Sequence, residues 1–150
     1  MREITAGELS KILEEHKRWC ENEDEGEKAN LSGANLSDAR LSYADLSDAI
    51  LISADLSGAD LSDANLIHAN LSHADLRGAN LESADLSGAD LNEANLSDAD
   101  LSFANLTQVK NLFINPLSEV KTLYKAELAP ELKKQVEDKY PHLLEELEYL

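Results

Sequence analysis

From Ala29 to Gln108 the chain repeats every five residues, and that period excludes most ways in which a polypeptide can fold. Sixteen successive pentads carry leucine at their centre: Leu31, Leu36, Leu41, Leu46, Leu51, Leu56, Leu61, Leu66, Leu71, Leu76, Leu81, Leu86, Leu91, Leu96, Leu101 and Leu106. Alanine stands two residues before every one of them, from Ala29 to Ala104, and the position between is Asn or Asp in fourteen pentads, the exceptions being Arg40 and Ile50. A serine follows the leucine in ten. An α-helix does not accommodate this period, because its apolar stripe would drift around the axis, and a flat strand does not either, because alternation breaks in every pentad. Two inward side chains at spacing two, followed by two outward ones, specify a short extended segment and then a corner. The corner slot agrees: it holds Gly33, Gly58, Gly78 and Gly88, and Asp38, Asp48, Asp63 and Asp98, types that tolerate turn dihedrals.

The pentads ANLSD, ADLSD, ADLSG and ANLSH match an A(D/N)LXX pattern over 80 of 150 residues, and in this the sequence resembles the pentapeptide-repeat family. The period shows the corners but not how many close a turn. The resemblance implies an all-β solenoid with helical caps, a right-handed quadrilateral β-helix in which four pentads form one coil. Sixteen pentads then make four regular coils, rising roughly 19 Å at strand spacing, with residues twenty apart stacked in columns. No single coil of such a solenoid is stable alone, because each buries its core against its neighbours. One column reads Asp45, Asn65, Asp85, Asn105 and another Arg40, Asp60, Asn80, Asp100, a mixture that limits repulsion between stacked carboxylates. Only Asp55 and Asp75 are stacked like charges in this slot, with Arg77 two residues on to offset them.

A β-helix leaves an open core and unpaired edges at both ends, so the flanking segments read as covers. Residues 1–28 are expected to form a capping helix and a linker: Ile4, Thr5, Glu8 and Leu9 fit a hydrophobic staple around a capping box. Leu9, Ile12, Leu13, His16, Trp19 and Cys20 then share one helix face over the first coil, and acidic residues 21–28 lead into the repeats. Residues 109–150 are expected to hold an irregular fifth coil and a C-terminal capping helix. Leu112, Leu117, Leu123 and Leu128 follow Leu106 out of phase, with NPLS and KAEL as decayed pentads. Pro130 opens a helix to about Tyr140, and Pro141 interrupts it. Leu143, Leu144, Leu147 and Leu150 either fold back on the base of the solenoid or pair two chains as a homodimer.

Thirty acids against 13 bases give a formal charge of -17, which opposes a phosphate-binding surface and makes direct nucleic-acid binding an unsuitable function. No segment has the length and hydropathy of a membrane span. The single Cys20 and the lack of an apolar run in residues 1–12 fit a reducing, cytoplasmic setting. Few outward side chains are apolar: Ile50, Ile52 and Ile67 lie near one another, and Tyr43 and Phe103 share a column, so these five are the candidate protein contacts. His68 and His73 belong to adjacent faces and do not converge on zinc, His16 reads as part of a packed helix face, and His142 as a surface residue. No metal or other cofactor is expected, and phosphate-binding glycine loops and nucleophile elbows are missing from the sequence.

A rod filled by Leu and Ala offers no pocket for catalysis, so the expected function is a non-catalytic structural or protein-interaction module with an unidentified protein partner. The resemblance adds an alternative, because quinolone-resistance members of the family are thought to imitate duplex DNA and occupy type II topoisomerases such as gyrase. Residues 29–108 carry 13 acids and two bases, and -11 over roughly 19 Å approaches the one charge per about 1.7 Å of B-DNA.

Overall fold

The computed structural model describes residues 1–23 and 26–148. Its middle is a stack of isolated parallel bridges, each joining residues twenty apart: Asn30 to Ile50, Asn35 to Asp55, Arg40 to Asp60, Asp45 to Asn65, and on in the same register to Asp85 with Asn105 and Asp90 with Lys110. One bridge per pentad and a register of twenty make a four-sided ring. All sixteen repeat leucines are buried, none more than 3% exposed, together with most of the alanines that precede them.

Every pentad turns its corner the same way. The fifth residue has a positive φ in all sixteen, from Gly33 and Asp38 to Phe103 and Gln108, and the next alanine N–H closes the turn on the leucine carbonyl, as from Ala64 to Leu61 at 3.1 Å. That is the dihedral signature of a type II turn, which favours glycine or a small polar residue in the positive-φ slot. Bulky residues such as Tyr43 and Phe103 sit there nonetheless.

The backbone N–H groups of a pentad can be accounted for one by one, as residues 59–63 show. Ala59 donates to Leu56 to close a turn, Asp60 donates to Ala39 in the preceding coil, and Leu61 and Asp63 donate to Asn80 and Glu82 in the following one. The remaining N–H, on Ser62, has no carbonyl within reach and is taken by Oδ1 of Asp60 at 3.1 Å. A buried or half-buried N–H without an acceptor is costly, and the Asn or Asp before each leucine supplies one. This side-chain bond is made in all fourteen pentads that carry Asn or Asp. In most, the following Ser or Thr hydroxyl donates to the same oxygen, as Ser57 does to Asp55 at 2.6 Å and Thr107 to Asn105 at 2.7 Å. The Asn/Asp slot therefore satisfies a corner N–H in fourteen pentads, while the Arg40 and Ile50 pentads close the same turn without it.

At the first end, Arg2 makes a parallel bridge with Ala34: its N–H donates to Gly33 at 2.7 Å, and Asn35 donates back to it at 2.8 Å. Helix α1 (Ala6–Cys20) follows, opened by Thr5, whose hydroxyl accepts from the Glu8 N–H while Glu8 accepts from the Thr5 N–H. At the other end the register changes. Asp100 bridges Thr122 and Asn105 bridges Glu127, an offset of 22. The two extra residues are absorbed around α2 (Ile114–Leu117), one helical turn where the NPLS segment was expected to be a decayed pentad. Leu117 at its end still points inward and is fully buried. KAEL does behave as a pentad: Lys125 has a positive φ, and Ala126 donates to Leu123. Helix α3 (Pro130–Lys139) and a 3-10 turn (Pro141–Leu144) complete the described chain, with Val136 and Leu143 buried.

Candidate protein-interaction surface

The side chains proposed as contacts divide by exposure. Ile50, Ile52 and Ile67 are each half-buried, so their aliphatic surface is shared with neighbouring rows and only part of it faces water. Tyr43 and Phe103 are outward, 77% and 44% exposed. Both occupy the positive-φ corner slot and stand in one column with Asp63 and Ser83 between them. The Asp63 carboxylate beside Tyr43 pushes its phenol above the ordinary value. Phe103 is met edge-on by Tyr124, with ring centroids 5.5 Å apart and planes at 84°, and Lys125 Nζ lies about 5 Å from both rings. The two-residue register change hides in the sequence that Lys125 stands in the Phe103 column and Tyr124 in that of Ser102.

The C-terminal leucines lie at the base of the solenoid. Leu143 is buried and its carbonyl accepts from the Leu123 N–H at 2.7 Å, Leu144 is partly buried against the core, and Leu147 lines a hollow with Phe103 and Tyr124. Leu150 lies outside the described residues.

Acidic side chains cover the outer faces. Arg77 folds back onto Asp75 with two Nε contacts at 2.8 and 2.9 Å, which holds the Asp75 carboxyl below the usual range next to stacked Asp55. Asn80 donates to Asp60 across one coil at 3.3 Å, a direct amide-to-carboxylate contact within a mixed column. Hydrogen bonding by the Ser62 hydroxyl, then by its N–H, lowers the Asp60 pKa. At Asp100 burial works upward and is outweighed by Ser102 and by Lys121, 3.0 Å away.

The one group of metal-ligand types among the described residues is His16, Cys20 and Asp45, whose ligand atoms lie within 4.8 Å of one another. Their hydrogen bonds decide against a ligand set. The Ala29 N–H can only donate, and it donates to His16 Nδ1 at 3.0 Å, so the proton of the neutral ring sits on Nε2. Nε2 faces Cys20 Sγ at 3.7 Å, Sγ lies 3.6 Å from Ser47 Oγ, and Ser47 donates to Asp45 at 2.7 Å. Because the Ser47 hydrogen is committed to the carboxylate, the thiol donates to Ser47. The chain runs one way from backbone to carboxylate and leaves no nitrogen lone pair for a cation. It ties α1 to the first coil. Among the other histidines, His73 pairs with Glu93 at 3.2 Å, and the His68 ring lies across Gly88.

No helix among the described residues is long and apolar enough to cross a membrane. A family model described as pentapeptide repeats matches in eight copies, over residues 29–66, 51–82, 59–98 and 74–110. No curated protein matches the chain. A pentapeptide repeat protein from the thylakoid lumen of Arabidopsis thaliana is 26% identical, with a TM-score of 0.56 over 72% of this chain and 70% of that one. A trypsin-treated variant of QnrB1, a plasmid-mediated fluoroquinolone resistance protein, is 18% identical with the same TM-score of 0.56, over 76% of this chain and 64% of its own. The second likeness concerns the fold alone. With the repeat model spanning 29–110, a corner in every pentad and a register of twenty residues, the chain belongs to the pentapeptide-repeat family of quadrilateral β-helices.

Proposed function

We propose that this protein is a non-catalytic interaction module: a rigid acidic post of four regular coils and an irregular fifth, capped by helices, that docks another protein. One observation carries the reading. The polar side chains that recur along the repeat are spent on the chain's own corners, Asn or Asp on the next-but-one N–H in fourteen pentads and Ser or Thr on the same oxygen in most of these, so they are unavailable as converging catalytic groups. What faces outward is net negative charge, the Tyr43 and Phe103 rings, and the half-buried Ile50, Ile52 and Ile67. A cytoplasmic location fits the single reduced cysteine.

A second reading is mimicry of duplex DNA toward a type II topoisomerase. The charge density of residues 29–108 and the fold shared with a fluoroquinolone resistance protein favour it. The presence of acids on all four faces favours a different partner. A supercoiling assay with purified protein separates the two: dose-dependent inhibition that salt weakens supports mimicry, and no effect leaves the interaction module with another partner. Molar mass in solution tests pairing through the C-terminal end, where half-buried Leu147 lines a hollow with Phe103 and Tyr124.

A further inference from the structure

The first coil is covered unevenly. The N-terminal segment occupies one side through the bridge of Arg2 with Ala34, and α1 lies over another through His16 and Cys20. Between them, from Ala39 to Asp45, the backbone edge is unpaired among the described residues, while the Asp45 carboxylate itself lies against His16 and Cys20 of α1. In later coils the residue before each leucine donates its N–H to the coil before, as Asp60 does to Ala39 and Asn65 to Ala44. Arg40 and Asp45 hold the same position in the first coil, and among the described residues their N–H groups have no backbone acceptor and the carbonyls of Arg40, Ser42 and Asp45 no backbone donor. Ala39 and Ala44 are only partly buried, unlike almost every later alanine of the repeat. Beside this edge runs a hollow of about 470 Å³ lined by Ile4, Leu9, Leu13, Leu36, Ala39 and Arg40.

We propose that this edge is a docking site for an extended segment of a partner protein, added as a parallel strand, with an acidic residue opposite Arg40 and small or aliphatic residues on either side of it. Three features define that occupant. The exposed donors and acceptors are those that an additional strand pairs with. Arg2 already seats on the same edge one pentad earlier, in a parallel bridge with hydrogen bonds in both directions, which shows how an extended segment fits there. Arg40 is the one cation among the sixteen residues that precede the repeat leucines, and its guanidinium has no salt-bridge partner among the described residues, so it is complementary to a carboxylate. A segment of A-D-L type sets Asp opposite Arg40 and directs its Ala and Leu toward the apolar hollow. The proposal rests on the interaction-module reading and names the chemistry of one partner, but a failure here leaves the acidic faces available and so differs from a failure of that reading.

The test is amide hydrogen exchange followed residue by residue by NMR, with an acetylated and amidated peptide of sequence SADLSGADLS, which is residues 53–62 of this chain. In the free protein the Arg40 and Asp45 amides should exchange freely, while those of Asp60 and Asn65 are protected. Millimolar peptide should slow Arg40 and Asp45 by about tenfold or more. The same peptide with both Asp replaced by Lys should have no effect, and Arg40→Glu should invert the preference between the two peptides with an unchanged circular dichroism spectrum. Unchanged exchange at both amides with either peptide overturns the proposal. So does protection that grows with protein concentration alone, which would assign the edge to a second copy of the chain.

Discussion

The imidazole of His68 lies across Gly88 of the following coil, in the space where any β-carbon on that glycine would stand. The same arrangement recurs between Asp38 and Gly58. A corner glycine here is favoured twice over, by its positive φ and by the side chain resting on it.

Gly88→Ala should therefore destabilise by about 1–3 kcal/mol through overpacking and left-handed strain. Gly78→Ala, where nothing lies within 4 Å, should cost only the strain of about 1–2 kcal/mol. Adding His68→Ala to Gly88→Ala should bring its cost down to that of Gly78→Ala in urea melts.

The parts of the fold that follow from a strict period were legible in the sequence, and those set by a single contact were not. Sixteen identical leucines fix which side chains point inward, and the capping box at Thr5 and Glu8 fixes where α1 begins. The alternating charge of the Asn and Asp columns is visible in sequence, whereas their bond to an orphan N–H appears only once the corner is built. The Arg2 bridge has no signal at all, since one extended residue carries no period. Likewise the offset of 22 after residue 110 comes from one turn of helix inserted within a coil, which spacing alone reads as decay. Of the candidate contacts, Tyr43 and Phe103 were legible as outward; the half-burial of the isoleucines depends on the rows above and below them.

Asn65→Ala removes the acceptor for the Ile67 N–H and should cost about 1–2 kcal/mol. Asn65→Asp retains that oxygen. Asn65→Asp together with Asn105→Asp leaves Asp45 and Asp85 with carboxylate neighbours only, so the whole column becomes acidic, and the resulting fall in Tm should be larger at low salt than at high salt.

Leu66→Ala, in the middle of the stack, should cost about 2–5 kcal/mol through the cavity it leaves. Equilibrium unfolding measures this directly, and the loss should exceed that of any single outward substitution such as Ser72→Ala.

Burial lowers the pKa of His16 below its ordinary 6.5, with Lys28 acting in the same direction and Asp45, the Ser47 backbone and Asp48 opposing. The folded protein then binds this proton less readily than the unfolded chain, so the His16 contribution is complete above pH 6.5 and is lost as pH falls from there through the folded value. Protonation also places a hydrogen on Nδ1, against the Ala29 N–H. Stability should decline as pH falls below 6.5, and His16→Gln should flatten that slope. Asp60, Asp75 and Asp100, all held below 3.8, should add a second decline as pH falls below 3.8 through their folded values.

The register of twenty residues underlies the buried leucine stack, the corner accounting and the open first edge alike. Methyl contacts measured by NMR on leucine-labelled protein test it most directly. Leu66 should show cross-relaxation to Leu46 and Leu86, one coil to either side. Contacts from Leu66 confined to leucines at helical spacing along the chain, with none to Leu46 or Leu86, would contradict the account.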